Sequence, residues 1–453
     1  MVHKKPPEYN LLCVISFITL FLGLALGPQH VELHVDDAIA SVELLLDGRP
    51  VARIDGPPWI GNVTFGDELS PHLLEAVAFD GAGEEMGRAQ QTINMPRPAA
   101  EASVFVDDKM DGIHKTARVT WESLVEAEPS SIRVSFDGKR LPVTDPEAIP
   151  LPDHDPEQLH VIRADLEFAG IVSTKAELIF GGAYADQVST ELTAVPVTLD
   201  GDDELPPIEH MQSWFSHEHE PLRAVAAEKG LAEIVVVRDL GAKDDLTQIR
   251  RKAMRNRNLR AWWFSSPQSA WNQWAFELFW PLARRQSGAA GMYDLFPPTG
   301  KYRAKDGSLH GWITTLQQPA GSVDSQRLAD CVAVAGVTAA GGNRRRAVVL
   351  VLAGRPRDSS DLSPQLAQHY LSRLRVPLYV WTTRPNRSVD DSGWGNAIDV
   401  STEIKMARAT EELFKSVERQ RMIWLDGFFV PHRIELAPQI ERVSMVGLAS
   451  GSN

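Results

Sequence analysis

Residues 233–245 read EIVVVRDLGAKDD. Ile234 to Val237 are apolar and β-branched without a break, Asp239 ends the run, and Gly241 follows in a short polar turn. A strand that is apolar at every position, not at every second one, is buried on both faces. Parallel sheets covered by helices on both sides bury strands in that way. The stretch 244–258, DDLTQIRRKAMRNRN, then reads as a helix, with Asp244 and Asp245 at its amino end and Arg250, Arg251, Lys252, Arg255 and Arg257 toward its carboxyl end. The same alternation recurs downstream. SVDSQRLADCVAVAGVTAAGG (322–342) is a helix, RRRAVVLVLAG (344–354) a buried strand, SPQLAQHYLSRLR (363–375) a helix with Ser363 as its cap, and VPLYVWTT (376–383) another strand. LRAWWFSS (259–266) is expected to supply a further strand. Residues 210–400 are therefore expected to form an α/β doubly wound unit. Residues 401–453, with a helix from about Glu403, are expected to be an appendage packed on it.

The pattern before residue 200 is different. SVELLLDGRPV (41–51) alternates, with Val42, Leu44 and Leu46 on one face, and breaks at Asp47-Gly48. SIRVSFDGKRLPV (131–143) repeats the arrangement about 90 residues on, with Ile132, Val134 and Phe136 before Asp137-Gly138. Asp-Gly between alternating runs marks a hairpin, and the spacing is that of one β-sandwich. Two all-β immunoglobulin-like sandwiches are expected, over 31–96 and 100–200, joined by MPRPAA (95–100), with the acidic LDGDDELPPIEH (199–210) as the linker to the α/β unit.

The chain opens MVHKKPPEYNLLCVISFITLFLGLALGPQH. Lys4 and Lys5 precede an apolar run from Leu11 to Leu26, the order of a signal peptide or of a single N-terminal membrane anchor over 1–28. Either would make the chain extracytoplasmic: periplasmic, secreted or held at the membrane. With 46 Lys and Arg against 60 Asp and Glu, the net charge is −14, which argues against nucleic acid as a general partner. Two cysteines, Cys13 and Cys331, stand far apart and give no disulfide framework.

The order IVVVRDLGAK, RLADCVAVAGVTAAGGNRRRAVVLVLAGRPRDSSDLS, LSRLRVPLYVWTT resembles a von Willebrand factor type A domain. It is closest in kind to the divergent bacterial, VWFA-related type found in exported proteins, here with immunoglobulin-like modules ahead of it. The resemblance implies a metal edge at the carboxyl ends of the strands, built from Asp-x-Ser-x-Ser, a Thr and a second Asp, with hard oxygen ligands and one position left for an acidic group of a protein partner. Matched residue by residue, Asp239 is the first Asp. Gly241 and Lys243 stand where the two Ser hydroxyls belong, AGSVDS (320–325) has no Thr, and Arg355, Pro356 and Arg357 stand where the second Asp belongs. The ligand set is degenerate and cationic, so no divalent cation and no other cofactor is expected there. Lys243 pairing with Asp239 is an alternative use of the same residues.

No His-Glu-x-x-His, Gly-x-Ser-x-Gly, P-loop or dinucleotide fingerprint occurs, and no enzyme is expected. His210, His217 and His219 match no zinc spacing. Trp271, Trp274 and Trp280 fall in a Trp-rich insertion, spaced to suit one side of a helix. They either pack on the sheet or form an aromatic patch for a partner or glycan. The function expected is an exported, non-enzymatic protein-binding or scaffold protein. The alternative is a cell-surface carbohydrate-recognition protein using the sandwiches or the Trp-rich insertion.

Overall fold

The computed structural model describes residues 15–447 except 20, 22, 37, 97–99, 107–114, 124–127, 138, 156–159, 169–171, 181–191, 201–204, 230, 257–273, 286–292, 304–307, 342–343, 439 and 441. The first half of the chain is mostly antiparallel β-sheet in immunoglobulin-like, two-sheet sandwiches. One sheet of the first sandwich has the order Ile15–Phe17, Pro28–Val35, Ile60–Thr64, and the other Arg49–Ile54, Ser41–Leu46, His72–Phe79, Glu85–Ile93. In the second sandwich the sheets are Ala100–Val106, Thr116–Ser123, Ile149–Pro150 and Lys139–Leu141, Ser131–Phe136, His160–Phe168, Val172–Phe180. Strand for strand, the two copies have the same topology. The inward reading of the alternation holds for Val42 and Leu44 in one copy and Val134 and Phe136 in the other, joined in the core by Leu74 and Ala76 and by Ile162, Ala164 and Leu166. On His72–Phe79 the core face is that of Leu74, Ala76 and Ala78, not the Val77 and Phe79 face that the alternation suggests. Each such Leu or Ile stabilises by about 1.5–3 kcal/mol on burial.

The copies also share a turn device. Asp47 and Gly48 both lie in the left-handed region, at φ 55° and 77°, which fits the right-handed twist of the flanking strands. The Asp47 carboxylate bonds His72 Nδ1 at 2.8 Å. Asp137, at φ 47°, bonds His160 Nδ1 at 2.7 Å.

Two boundaries differ from expectation. The N-terminal apolar run, read as signal or anchor, supplies an edge strand. Ile15–Phe17 pairs with Leu33–Val35, Ile15 is buried, and the Asn94 side chain holds the backbone of Ala25 through two hydrogen bonds of 2.7 and 2.8 Å. Ile15–Phe17 fills the place that Ala100–Val106 fills in the second copy. In addition, Leu192–Leu199, read as the last strand of the second sandwich, pairs instead with Gln420–Asp426 and Val443–Met445. Ala224–Glu228 completes that four-stranded antiparallel sheet. Strand patterns show that a segment is a strand but not which partner it takes 200 residues away.

The α/β unit lies between Ala224–Glu228 and Gln420–Asp426 in the chain. Its sheet has the order Tyr302–Arg303, Trp274–Phe279, Ala232–Arg238, Arg345–Leu352, Leu378–Thr382, Ile398–Asp399. All are parallel except the edge strand Tyr302–Arg303. Numbered along the chain this is 3-2-1-4-5-6, a doubly wound order. Alternate residues of the first strand serve opposite faces. Ala232, Ile234 and Val236 pack with helices Lys243–Arg255, Leu309–Thr315 and Glu403–Glu418; Val235 and Val237 pack with Leu328–Ala340 and Pro364–Arg373. Helix Glu403–Glu418 thus belongs to the core through Met406, Leu413 and Phe414, and is no appendage. Leu328–Ala340 and Pro364–Arg373 approach closely because position 336 is Gly: a Cβ there would lie 2.6 Å from Leu371 Cδ1. The first sandwich touches the unit through Tyr370 Oη, which donates to Asn94 O at 2.7 Å, and through Arg373, which pairs with Glu68, while Arg433, beyond the unit, bonds Asp47 at 3.1 Å.

The second strand of the sheet is Trp274–Phe279, so the Trp-rich stretch is strand at that point and not helix. LRAWWFSS (259–266) lies outside the described residues, as does Trp271. Among the described residues no helix is long and apolar enough to cross a membrane.

Candidate functional site

Strand order reverses between Ala232–Arg238 and Arg345–Leu352, and doubly wound sheets hold ligands at the carboxyl ends of the strands beside such a switch. Asp239 leaves the first strand there and Ala353 leaves the other. The Asp239 carboxylate is fully buried, at 0 % exposure, and it is fully engaged. One oxygen accepts from Gly241 N at 2.7 Å and from Gln326 Nε2 at 2.9 Å, and the other accepts from Ala353 N at 2.9 Å. Burial pushes its carboxyl above the ordinary range, against the pull of these donors, and nearby Asp358 pushes the same way.

Gln326 is the residue that sequence reasoning missed. Besides meeting Asp239, its amide nitrogen donates to Arg357 O at 2.8 Å, and its oxygen accepts from Leu240 N at 3.0 Å. It stands one residue beyond AGSVDS, and no local signal marks it. A cation at this carboxylate needs lone pairs converging on it. Here three N–H donors converge, so these residues do not fit a divalent ion.

Gly241 stands where the resemblance would place a hydroxyl, and a side chain there would be tightly packed. A Cβ would lie 3.0 Å from Ala353 Cβ and 3.2 Å from Asp239 Oδ1. Lys243 is exposed and, among the described residues, forms no ion pair with Asp239, so the alternative pairing is not what the structure adopts. Arg355 and Arg357 are exposed on the loop beyond Leu352, with Arg357 paired to Asp324. Asp358, next along, caps the opposite helix, accepting from Leu328 N at 2.9 Å and Ala329 N at 3.1 Å. Asp245 does not cap its own helix as expected. It is buried against Thr383 Oγ1 at 3.0 Å and pairs with Arg384.

The residue before Asp239 is equally unusual. Arg238 is 2 % exposed, and its guanidinium lies 4.4 Å from the centre of the Trp280 ring. It donates to Ile313 O at 2.8 Å and Leu316 O at 3.3 Å, while its Nε is buried without an acceptor. Burial alone lowers its pKa to about 10, so it stays charged at neutral pH.

The aromatic patch does not form as drawn. Trp274 is 2 % and Trp280 5 % exposed, both inside the core of the sheet, because a strand with helices on both faces has no free side. They are packing residues and not a partner surface. His219 is a turn residue at φ 74°, His217 lies against Phe429, and His210 is exposed. Cys331 is buried, and burial drives its thiol pKa well up.

No family model matches the chain, and no curated protein matches it. Among solved structures it is similar to the fibronectin(III)-like modules of CbhA from Clostridium thermocellum (12 % identity over 37 % of this chain and 93 % of that one, TM-score 0.15). It is also similar to the central fibronectin-III array of RIM-binding protein (9 %, 43 % and 80 %, TM-score 0.22). A third likeness is to proximal thread matrix protein 1 from the mussel byssus, at 13 % identity over 48 % of this chain and 49 % of that one, TM-score 0.24. The chain spans about half of the mussel protein. Scores this low carry no argument about function, and the sandwich assignment rests on the paired topology described above.

Proposed function

We propose that this chain is a non-enzymatic binding or scaffold protein. Its two immunoglobulin-like sandwiches support a divergent von Willebrand factor type A-like unit that meets a protein partner at its carboxyl edge without a metal. The observation that carries the reading is the closure of Asp239 by Gly241 N, Gln326 Nε2 and Ala353 N. A carboxylate held by three donors organises the switch point, and the N–H groups turned toward it take the places that the oxygen ligands of an ion would need. Among the exposed side chains around it, Lys243 and Arg355 form no ion pair among the described residues, while Arg357 is paired to Asp324, and the two unpaired cations favour an acidic group on a partner. The strand order 3-2-1-4-5-6 and the placing of Asp239 at the reversal support the resemblance.

A catalytic reading lacks support at this edge. Asp239 and Asp245 are both committed to structural bonds, and Cys331 is buried in the helix layer. The carbohydrate reading loses Trp274 and Trp280 to the core. Export is part of the proposal: it rests on Lys4 and Lys5 ahead of the apolar run from Leu11 to Leu26, within which Ile15–Phe17 pairs with Leu33–Val35. Affinity capture with this chain as bait, run with and without chelator, tests the proposal. Capture that survives chelator and is lost on charge reversal of Lys243, Arg355 and Arg357 supports it. Capture abolished by chelator overturns it.

A further inference from the structure

Beside the closed carboxylate lies an open cleft of about 300 Å³, at the small end of ligand-pocket size. Arg238 forms its buried wall, Lys243 and Arg250 stand on its helix side, and Thr247, Thr314 and Gln318 contribute polar groups. No acidic side chain is among the described residues that line it. Lys243 and Arg250 are exposed and, among the described residues, enter no ion pair. Arg238 likewise has no carboxylate partner: two carbonyls and the Trp280 face hold it, and Nε is left over. An unpaired cation this deeply buried is retained at a cost that a bound anion would offset. Gln318 adds the complementary signal. Its Oε1 is buried with no donor, so the cleft also lacks an N–H or O–H.

We propose that this cleft binds a small oxyanion of the phosphate class that carries a hydrogen-bond donor, with Arg238, Lys243 and Arg250 holding the anionic oxygens and Gln318 accepting from the donor. The cleft shares Lys243 with the proposed partner edge, but Arg238, Arg250 and Gln318 belong to the cleft alone, so the anion reading stands without the protein-binding one.

The test is isothermal titration of the full chain at low ionic strength with inorganic phosphate, glycerol phosphate and sulfate. Phosphate or its ester is expected to bind at one site. Sulfate, which has the same shape but no proton at neutral pH, is expected to bind roughly tenfold more weakly, the worth of one hydrogen bond to a buried acceptor. Phosphate over the ester assigns the free ion, and the reverse order assigns an esterified ligand. Lys243→Ala with Arg250→Ala, both on the exposed helix face, is expected to weaken binding by at least roughly tenfold while the thermal midpoint holds. Arg238→Met is expected to abolish it. No binding by either phosphate form, or binding that the exposed double variant leaves intact, would overturn the proposal, as would sulfate binding as tightly as phosphate.

Discussion

Arg238 and Asp239 are adjacent, opposite in charge and both buried, yet they do not pair. Their side chains leave the strand end in opposite directions, and each is neutralised by dipoles. Asp239 collects Gly241 N, Gln326 Nε2 and Ala353 N. Arg238 collects two carbonyls and an indole face. The Asp239 side is closed, since the carboxylate is fully buried and three donors already meet it. The Arg238 side is open, with an unused Nε and a cleft. The difference separates a structural charge from a binding charge by one question: whether its hydrogen-bonding capacity is already filled.

Asp239→Ala should have the largest effect. It strands three inward-facing donors and is expected to destabilise by about 3–5 kcal/mol in chemical denaturation. A loss under about 1 kcal/mol would mean that the closed side is not closed. Gln326→Glu comes next. It replaces a donor by a second carboxylate 2.9 Å from the first and is expected to cost about 2–3 kcal/mol at neutral pH, with part recovered on adding Mg²⁺. Stabilisation of this variant without metal would break the comparison.

Asp239→Asn is the smaller probe and reads the protonation of the site. Burial raises the folded carboxyl above its unfolded value, so the folded state binds the proton more tightly. Between the unfolded value of 3.8 and the raised folded value, this group's contribution falls as pH rises. The wild type should therefore gain stability relative to Asp239→Asn on acidification through that window. Asp47 should behave oppositely. Burial raises it, but hydrogen bonds from His72 and Leu73 N outweigh that and leave its pKa below 3.8, so its contribution is lost as pH falls through the lowered value. Parallel pH profiles for Asp239→Asn and Asp47→Asn would contradict both assignments. Lys243→Ala, on the exposed side, should move stability by less than about 0.5 kcal/mol.

The fold was legible where it is local. The uninterrupted apolar runs at 234–237 and 347–351 are central strands because only a doubly covered strand tolerates apolar residues at every position. Ser363 caps its helix by accepting from Leu366 N at 3.2 Å, as its place before Pro364 implies. Asp47-Gly48 forms the turn that its residue types require. The errors concern partners and faces. Trp274–Phe279 is apolar at nearly every position, so periodicity could not separate buried strand from helix. Leu192–Leu199 reads as a strand, but its neighbour Gln420–Asp426 is far along the chain. The Leu11–Leu26 run has the composition of a signal, and the place that Ile15–Phe17 within it fills became visible only beside the second copy of the sandwich. At the site, Asp239 was identifiable from its position after the strand. Gln326, 87 residues away, and Arg238, which points to the other face, were not, because their roles arise from packing between loops and helices.

The central claim is that the carboxyl edge works without a metal, and the most direct measurement is thermal unfolding of the intact chain in millimolar Mg²⁺, in Mn²⁺ and in chelator. Because ligand binding to the folded state alone raises its stability in proportion to RT ln(1 + [L]/Kd), the closed carboxylate predicts one midpoint, within about 1 °C, in all three. A midpoint several degrees higher with either ion, reversed by chelator and absent in Asp239→Asn, would contradict it.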